Sequence, residues 1–122
     1  MKTKKPFVID VEKVAVEKFP WGEIRWLWNS KINQNAQQTF GIVHINLEEK
    51  NMAHIHPNCE ELLYVVSGEC KHGLGDEVYH LKKGMIINIP VLVEHYALNT
   101  GNEPFEAVIC YSSPKRQVKG AS

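Results

Sequence analysis

The chain has 122 residues, a length that suits one domain with a single hydrophobic core and leaves no room for a second domain. Its 14 basic and 14 acidic residues give a formal net charge of zero, so no overall field attracts nucleic acid or an anionic membrane surface. No stretch is long and apolar enough to span a bilayer. We therefore expect neither nucleic acid nor a membrane among its partners.

The cysteines and the amino terminus bear on the cellular compartment. Cys59, Cys70 and Cys110 are an odd number of cysteines, which fits a reduced intracellular protein better than a disulfide scaffold. Residues 1–6 are basic, but charged residues interrupt the apolar run that follows, so it does not resemble a signal peptide. The sequence predicts a cytoplasmic protein.

Residues 7–38 predict amino-terminal strands and a loop. Residues 7–19 are rich in β-branched side chains and predict one or two short strands, with a helix as the alternative. Residues 21–28 predict a strand carrying Trp26 and Trp28, which either fill the core, cover a subunit interface or stack on a ligand. Residues 29–38 are polar and predict a surface loop near the mouth of a barrel.

The next predicted strand, residues 40–47, has one apolar face and one mixed face. His44 lies on the mixed face. If that face lines a cavity, His44 is a candidate for catalysis or substrate contact, whereas a lone strand histidine is more often structural or solvated.

A pair of histidines follows, at His54 and His56. Side chains one residue apart project from the same face of a strand, so the two imidazoles can act as a metal clamp. Glu61 then opens an apolar strand and shares its inward face with Leu63 and Val65, while Glu60 points the other way. Alternation therefore favours Glu61 as a ligand.

The second half of the chain predicts more short strands. Residues 69–74 and 78–81 pair across a glycine-containing turn, and His72 and His80 in this hairpin are expected to face solvent without a function. Residues 85–90 predict a buried strand. His95 and Asn99 lie on the strand after it, residues 105–111 predict the last strand, and residues 112–122 predict a loose tail.

About ten short strands with frequent turns and no long helical pattern predict an all-β sandwich or barrel. Three imidazoles and one carboxylate form a nitrogen and oxygen donor set that suits Mn, Fe, Co, Ni or Zn and leaves open positions for water or substrate. We accordingly expect one divalent transition metal per chain.

Two spaced motifs in this region resemble those of the cupin superfamily. The first motif reads G-x5-H-x-H-x(3,4)-E-x6-G, and His54, His56, Glu61 and Gly68 match it. The second reads G-x5-P-x-G-x2-H-x3-N, and Gly84, Pro90, His95 and Asn99 match it. Glu48 and Leu92 replace two motif glycines, which usually adopt a positive φ, so the turn before His95 is expected to be built differently here.

The resemblance implies a double-stranded β-helix, or jelly roll, forming a single cupin domain over residues 1–122. Within it, residues 1–40 would supply amino-terminal strands and a loop, residues 41–111 the barrel core with both motifs, and residues 112–122 the tail. It also implies a metal bound by His54, His56, Glu61 and His95, and a homodimer in which the Trp-rich strand is the candidate interface.

Two classes of function fit these features. The first is a small metal-dependent enzyme, an isomerase, lyase or dioxygenase acting on a sugar acid, keto acid or similar polar metabolite. The second is a non-catalytic cupin that binds a small ligand, for example as a sensing module. A metal with open coordination positions is more than ligand binding requires, which favours the enzyme.

Overall fold

The computed structural model describes residues 7–120 and is built almost entirely from antiparallel β-strands. A single-turn 3-10 helix, Val11–Lys13, precedes the first strand. The strands are β1 Glu17–Phe19, β2 Gly22–Trp28, β3 Thr39–Ile45, β4 Glu61–Ser67, β5 Glu69–Leu74, β6 Glu77–Lys82, β7 Ile86–Ile89, β8 His95–Asn99 and β9 Phe105–Tyr111. Across the described residues, no helix has the length and apolar character needed to cross a membrane.

The strands form two sheets. The larger sheet has six strands in the order β1-β2-β3-β9-β4-β7, and the smaller has three in the order β6-β5-β8. Sequence-distant strands are neighbours in the larger sheet, because β9 lies between β3 and β4. The predicted all-β sandwich or barrel is confirmed.

In β3, β4, β7, β8 and β9, buried side chains alternate with more exposed ones and define the core. In β4, Glu61, Leu63 and Val65 are buried, whereas Leu62 and Tyr64 are exposed. The inward rows of the other strands complete one apolar cluster that includes Ile45, Ile89, Phe105, Ala107 and Ile109. Glu61 is therefore a carboxylate at the end of an apolar row, as the alternation predicts.

The observed strands largely match the predicted ones, with three differences. The strand predicted to be buried over residues 85–90 is buried on one face only, because Ile86 and Asn88 of β7 are exposed while Ile87 and Ile89 are buried. The predicted strand over residues 52–56 is not a regular strand: only isolated bridges form there, from His54 to His95 and from Ile55 to Lys119. Residues 7–19 contain one short strand and the 3-10 helix.

The prediction of a loose tail is wrong for residues 112–120, which we call the carboxy-terminal strap. Ile55 and Lys119 exchange two backbone hydrogen bonds of 2.9 and 3.0 Å. Asn58 donates to the carbonyl of Lys115 at 2.8 Å and accepts from the backbone N–H of Gln117 at 2.8 Å. The strap thus lies along the segment that carries His54 and His56, which a polar composition alone does not indicate.

The two positions that lack the motif glycine keep the glycine-like backbone. Glu48 has a φ of 64° and Leu92 a φ of 68°. The expectation that the turn before His95 is built differently is therefore wrong. The backbone N–H of Leu92 donates to the carbonyl of His56 at 3.1 Å, and this bond helps to hold a conformation that costs an L-residue about 1–2 kcal/mol.

This strain predicts an unusual response to glycine. Because glycine adopts a positive φ without the Cβ clash, Leu92→Gly is expected to be about 1 kcal/mol more stable than Leu92→Ala. Urea unfolding of the two variants measures the difference. An alanine variant as stable as the glycine variant would show that the turn is not strained.

Candidate metal centre and cavity

Three histidines converge between the two sheets. His54 and His56 lie on the segment before β4, and His95 is the first residue of β8. His54 and His95 are fixed side by side, because their backbones exchange hydrogen bonds of 3.0 and 2.9 Å. One ring nitrogen from each of the three histidines lies within 4.8 Å of those of the other two, a spacing that could hold a metal ion.

The backbone sets the orientation of all three rings. Nδ1 of His54 lies 2.6 Å from the carbonyl oxygen of Met52, Nδ1 of His56 lies 2.8 Å from that of Gln117, and Nδ1 of His95 lies 3.1 Å from that of Val93. A carbonyl oxygen only accepts hydrogen bonds, so each Nδ1 carries the proton and each Nε2 is left with a free lone pair. The carbonyls thus select the tautomer that a metal ligand needs.

Glu61 completes the cluster from β4. Its Oε1 lies 3.3 Å from Nε2 of His56 and 3.2 Å from Nε2 of His95, and its side chain is buried. Glu60 lies on the opposite face, is exposed, and accepts a hydrogen bond of 2.9 Å from Asn88. Glu61 rather than Glu60 therefore faces the histidines, and its role as a metal ligand stays a prediction.

The electrostatics of the cluster favour ionised Glu61 beside neutral imidazole. Burial raises the pKa of Glu61, whereas His56 and His95 lower it to about 2 when a proton on Nε2 faces the carboxylate; with the protons on Nδ1, a bound cation would take over that role. Burial, followed by the neighbouring His95, lowers the pKa of His54 to about 4. At neutral pH the cluster thus offers a carboxylate and an uncharged imidazole.

Three buried atoms in the cluster lack a hydrogen bond. They are Nε2 of His56, Nε2 of His95 and Oε1 of Glu61, which are close to one another but not aligned as donor and acceptor. An unsatisfied buried polar atom costs about 1–3 kcal/mol, and more when it is charged. A divalent cation would satisfy all three, so the residues present fit a metal.

The cluster opens onto a cavity of about 390 Å³ between the sheets. Its walls are mainly apolar, with Phe19, Trp21, Ile24, Val43, Ile45, Leu63, Ala97 and Ile109 among them. The rings of Phe19 and Trp21 are stacked with centroids 4.7 Å apart. Part of the aromatic segment therefore lines the cavity, while Trp26 is only partly buried.

His72 is a fourth histidine of the cavity, and the prediction that it faces solvent is wrong. It is 1% exposed, lines the cavity and stacks on His95 with ring centroids 5.9 Å apart. Burial, and then His95, lower its pKa to about 4, against smaller raising effects of Glu61 and the backbone of Gly73. His72 shares the inward face of β5 with Cys70, whereas the charged neighbour Lys71 is exposed. His80 is exposed, as predicted.

His44 does not lie in the site. On β3 the apolar residues Val43 and Ile45 face the cavity, so His44 points outward. Its Nε2 lies 3.0 Å from the Glu106 carboxylate and its Nδ1 lies 3.8 Å from that of Glu23. The condition on which the candidacy of His44 depended is not met, because the apolar face of the strand is the one that packs inward.

Sequence reasoning missed the contribution of the carboxy-terminal strap and of Tyr111. Arg116 and Val118 line the cavity, and Tyr111 does so from the end of β9. The Tyr111 ring lies 5.0 Å from the His56 ring, and burial followed by the charge of Glu61 raises the pKa of its phenol well above the ordinary value. Side-chain alternation along β9 places Tyr111 on the buried face and could have identified it as a residue of the cavity. No local sequence pattern indicates where the strap lies.

The three cysteines are free and are not among the residues that line this cavity. Cys59 and Cys70 are buried, and burial raises the pKa of Cys70 to about 12. They pack as small apolar side chains, as the sequence suggests.

Comparison with known proteins gives a family match. A sequence profile of the cupin domain matches residues 41–111. Protein MJ1618 of Methanocaldococcus jannaschii, which is uncharacterised, is 30% identical over 91 residues, covering 75% of this chain and 73% of that protein. The polyketide synthase CurC of Streptomyces cyaneus is 27% identical over 103 residues, covering 84% of this chain and 67% of that protein.

Solved structures share the fold. Oxalate decarboxylase from Lactobacillus farciminis, in a formate complex, superposes with a TM-score of 0.87 at 25% identity, covering 97% of this chain and 36% of that one. Oxalate decarboxylase from Bacillus subtilis, which has Mn(II) centres, superposes with a TM-score of 0.82 at 16% identity, covering 90% and 30%. The chain thus spans about a third of these decarboxylases.

A protein with a double-stranded β-helix domain from Klebsiella pneumoniae matches over nearly its whole length. The TM-score is 0.78 at 21% identity, covering 97% of this chain and 99% of that one. The predicted double-stranded β-helix fold is confirmed.

Proposed function

Because this chain belongs to the cupin domain family, we propose that it binds one divalent transition metal through His54, His56, Glu61 and His95 and acts as a small metal-dependent enzyme. The candidate metals are Mn, Fe, Ni, Co and Zn, which all accept imidazole nitrogen and carboxylate oxygen. The Mn(II) centres of the Bacillus subtilis decarboxylase make manganese the first metal to test.

One observation carries the metal proposal. Nε2 of His56, Nε2 of His95 and Oε1 of Glu61 are buried, close together and without hydrogen bonds, while backbone carbonyls occupy Nδ1 of every histidine in the cluster. A purely structural polar cluster would satisfy its own donors and acceptors. In this cluster, by contrast, the nitrogen and oxygen atoms that could bind a metal have no hydrogen-bond partner and point toward one another.

A metal held by these four side chains would supply Lewis-acid or redox chemistry next to the cavity. The chain itself orients the rings through the carbonyls of Met52, Gln117 and Val93. The apolar walls limit the water around a bound substrate, which strengthens electrostatic interactions inside the cavity.

The substrate we propose is a small polar metabolite such as a sugar acid or keto acid, in an isomerase, lyase or dioxygenase reaction. The likeness to an oxalate decarboxylase crystallised with formate supports a small carboxylic acid. The cavity of about 390 Å³ is within the range of small-molecule sites.

A non-catalytic ligand-binding cupin is the second candidate. The apolar character of most of the cavity wall favours it, since apolar walls contribute binding energy without proton transfer. The two candidates share the metal centre and differ in turnover.

The homodimer and the cytoplasmic location remain proposals. The outer face of β4 exposes Leu62 and Tyr64 beside Ile86 of β7, an apolar surface that a second copy could cover. The Trp-rich strand β2 is the other candidate interface. Within the chain, its Trp28 ring already packs edge-on against the Phe7 ring, with centroids 5.4 Å apart.

Metal content tests the proposed ligands. Protein purified without an affinity tag and loaded with Mn²⁺ is expected to hold one ion per chain. His54→Ala and His95→Ala are each expected to lower metal affinity at least about tenfold, because each removes one of four donors. His44→Ala and His80→Ala are matched controls, since both rings lie outside the cavity and their loss should leave the stoichiometry unchanged. Full occupancy in the His95 variant would exclude that residue as a ligand.

Turnover separates the enzyme from the binder. A panel of oxalate, small keto acids and sugar acids, incubated with the Mn²⁺, Fe²⁺ and Zn²⁺ forms and followed by mass spectrometry, is expected to give product with at least one metal form. The His95→Ala variant should give none. Ligand-induced stabilisation against heat with no product from any metal form would favour the non-catalytic candidate.

A further inference from the structure

The carboxy-terminal strap places a positive charge in the cavity. Among the described residues that line it, Arg116 is the only lysine or arginine. The ion pairs among residues 7–120 join His44, His56, His80 and His95 to glutamates, and none includes Arg116. A half-buried guanidinium without a carboxylate partner is available to bind an anion.

Two aromatic rings hold this guanidinium in position. Its Cζ lies 4.3 Å from the centroid of the Trp26 ring and 5.4 Å from that of the Tyr111 ring. These cation–π contacts take up none of the five N–H donors of the guanidinium in a hydrogen bond. The rings therefore fix the position of Arg116 and leave its hydrogen-bond donors free.

A second acidic residue of the cavity, besides Glu61, is already hydrogen-bonded. Glu17 lines the same cavity, but its Oε1 accepts a hydrogen bond of 2.9 Å from the indole N–H of Trp26. No oxygen of Glu17 lies within ion-pair distance of Arg116 in the described chain. Glu17 and Arg116 thus both bind Trp26, one at its edge and one at its face.

Tyr111 connects Arg116 to the metal centre. The same phenol ring that lies 5.4 Å from Arg116 lies 5.0 Å from the ring of His56. A ligand that reaches both Arg116 and the metal centre must therefore lie along Tyr111. Apolar side chains, including Ile24, Leu63 and Val118, make up most of the remaining wall of the cavity.

We propose that Arg116 binds the carboxylate of a small ligand with an apolar body, which occupies the cavity along Tyr111 between the strap and the metal centre. The inference rests on the proposed function, because it takes this cavity as the ligand site, and it names the substrate class more narrowly. Planar guanidinium matches a carboxylate through two parallel hydrogen bonds, and the apolar walls favour a hydrocarbon chain or ring over a heavily hydroxylated body.

The test uses benzoate as the probe and benzamide as its uncharged match, titrated into the full ¹⁵N-labelled chain in metal-free and Zn²⁺-loaded forms and followed by NMR. Benzoate is expected to shift the indole N–H signals of Trp21 and Trp26 and to bind more tightly than benzamide. Arg116→Gln is expected to weaken benzoate binding at least about tenfold and to leave benzamide binding unchanged. Arg116→Lys should give an intermediate affinity, because it keeps the charge and loses the planar fork.

Lys115→Gln is the matched control, since Lys115 is the exposed neighbour on the strap and does not line this cavity. It removes the same charge and is expected to change benzoate affinity less than about twofold. Thermal unfolding of each variant checks that the barrel is intact. Equal benzoate affinity of the Arg116→Gln variant, no benzoate binding to the unaltered chain, or tighter binding of phenyl phosphate than of benzoate would each overturn the proposal.

Metal content separates this proposal from the proposed function. Arg116→Gln should retain one metal per chain, because the side chain of Arg116 is not among the candidate ligands. If the protein binds no metal but benzoate binding still depends on Arg116, the metal proposal fails and the carboxylate site stands. If the metal binds but Arg116→Gln leaves benzoate affinity unchanged, the carboxylate site at Arg116 fails and the metal proposal stands.

Discussion

The burial of Glu61 among three imidazoles constrains the rest of the structure. A carboxylate at the end of an apolar strand row would be strongly destabilising alone, because a buried charge loses its hydration. Here Nε2 of His56 and Nε2 of His95 lie 3.3 and 3.2 Å from the same carboxylate oxygen, and a cation shared by these atoms would compensate the buried charge. The two sheets, residues 52–56 and the carboxy-terminal strap together hold this polar cluster in place.

The cluster requires contributions from distant parts of the chain. Segment 52–56 supplies two rings, β4 the carboxylate and β8 the third ring, and the strap supplies the carbonyl that orients His56. Because Gln117 contacts His56 while Arg116 lines the cavity, one short segment affects both the metal centre and the ligand space. We infer that a ligand bound by Arg116 and a metal bound by His56 would each stabilise the position of the strap.

Side-chain alternation in the sequence correctly predicted which face of several strands packs inward. Alternation placed Glu61 inward and Glu60 outward, and the nine observed strands lie close to predicted ones. The prediction for His72 was wrong because its charged sequence neighbour Lys71 lies on the opposite face of β5. The candidacy of His44 depended on the mixed face of β3, which does not line the cavity. The replacement of the motif glycine by Leu92 suggested a different turn, but the backbone at Leu92 keeps the positive φ that the glycine would have. The strap was missed because its order depends on hydrogen bonds to Ile55 and Asn58, more than 50 residues earlier.

The central claim is that His54, His56, Glu61 and His95 bind one metal ion at a common point. Anomalous X-ray diffraction at the manganese edge, from crystals grown with Mn²⁺, tests it most directly. The account predicts one strong anomalous peak per chain, bounded by Nε2 of the three histidines and the carboxylate of Glu61. A peak elsewhere, or hydrogen-bonded water at that point with no anomalous signal, would contradict it.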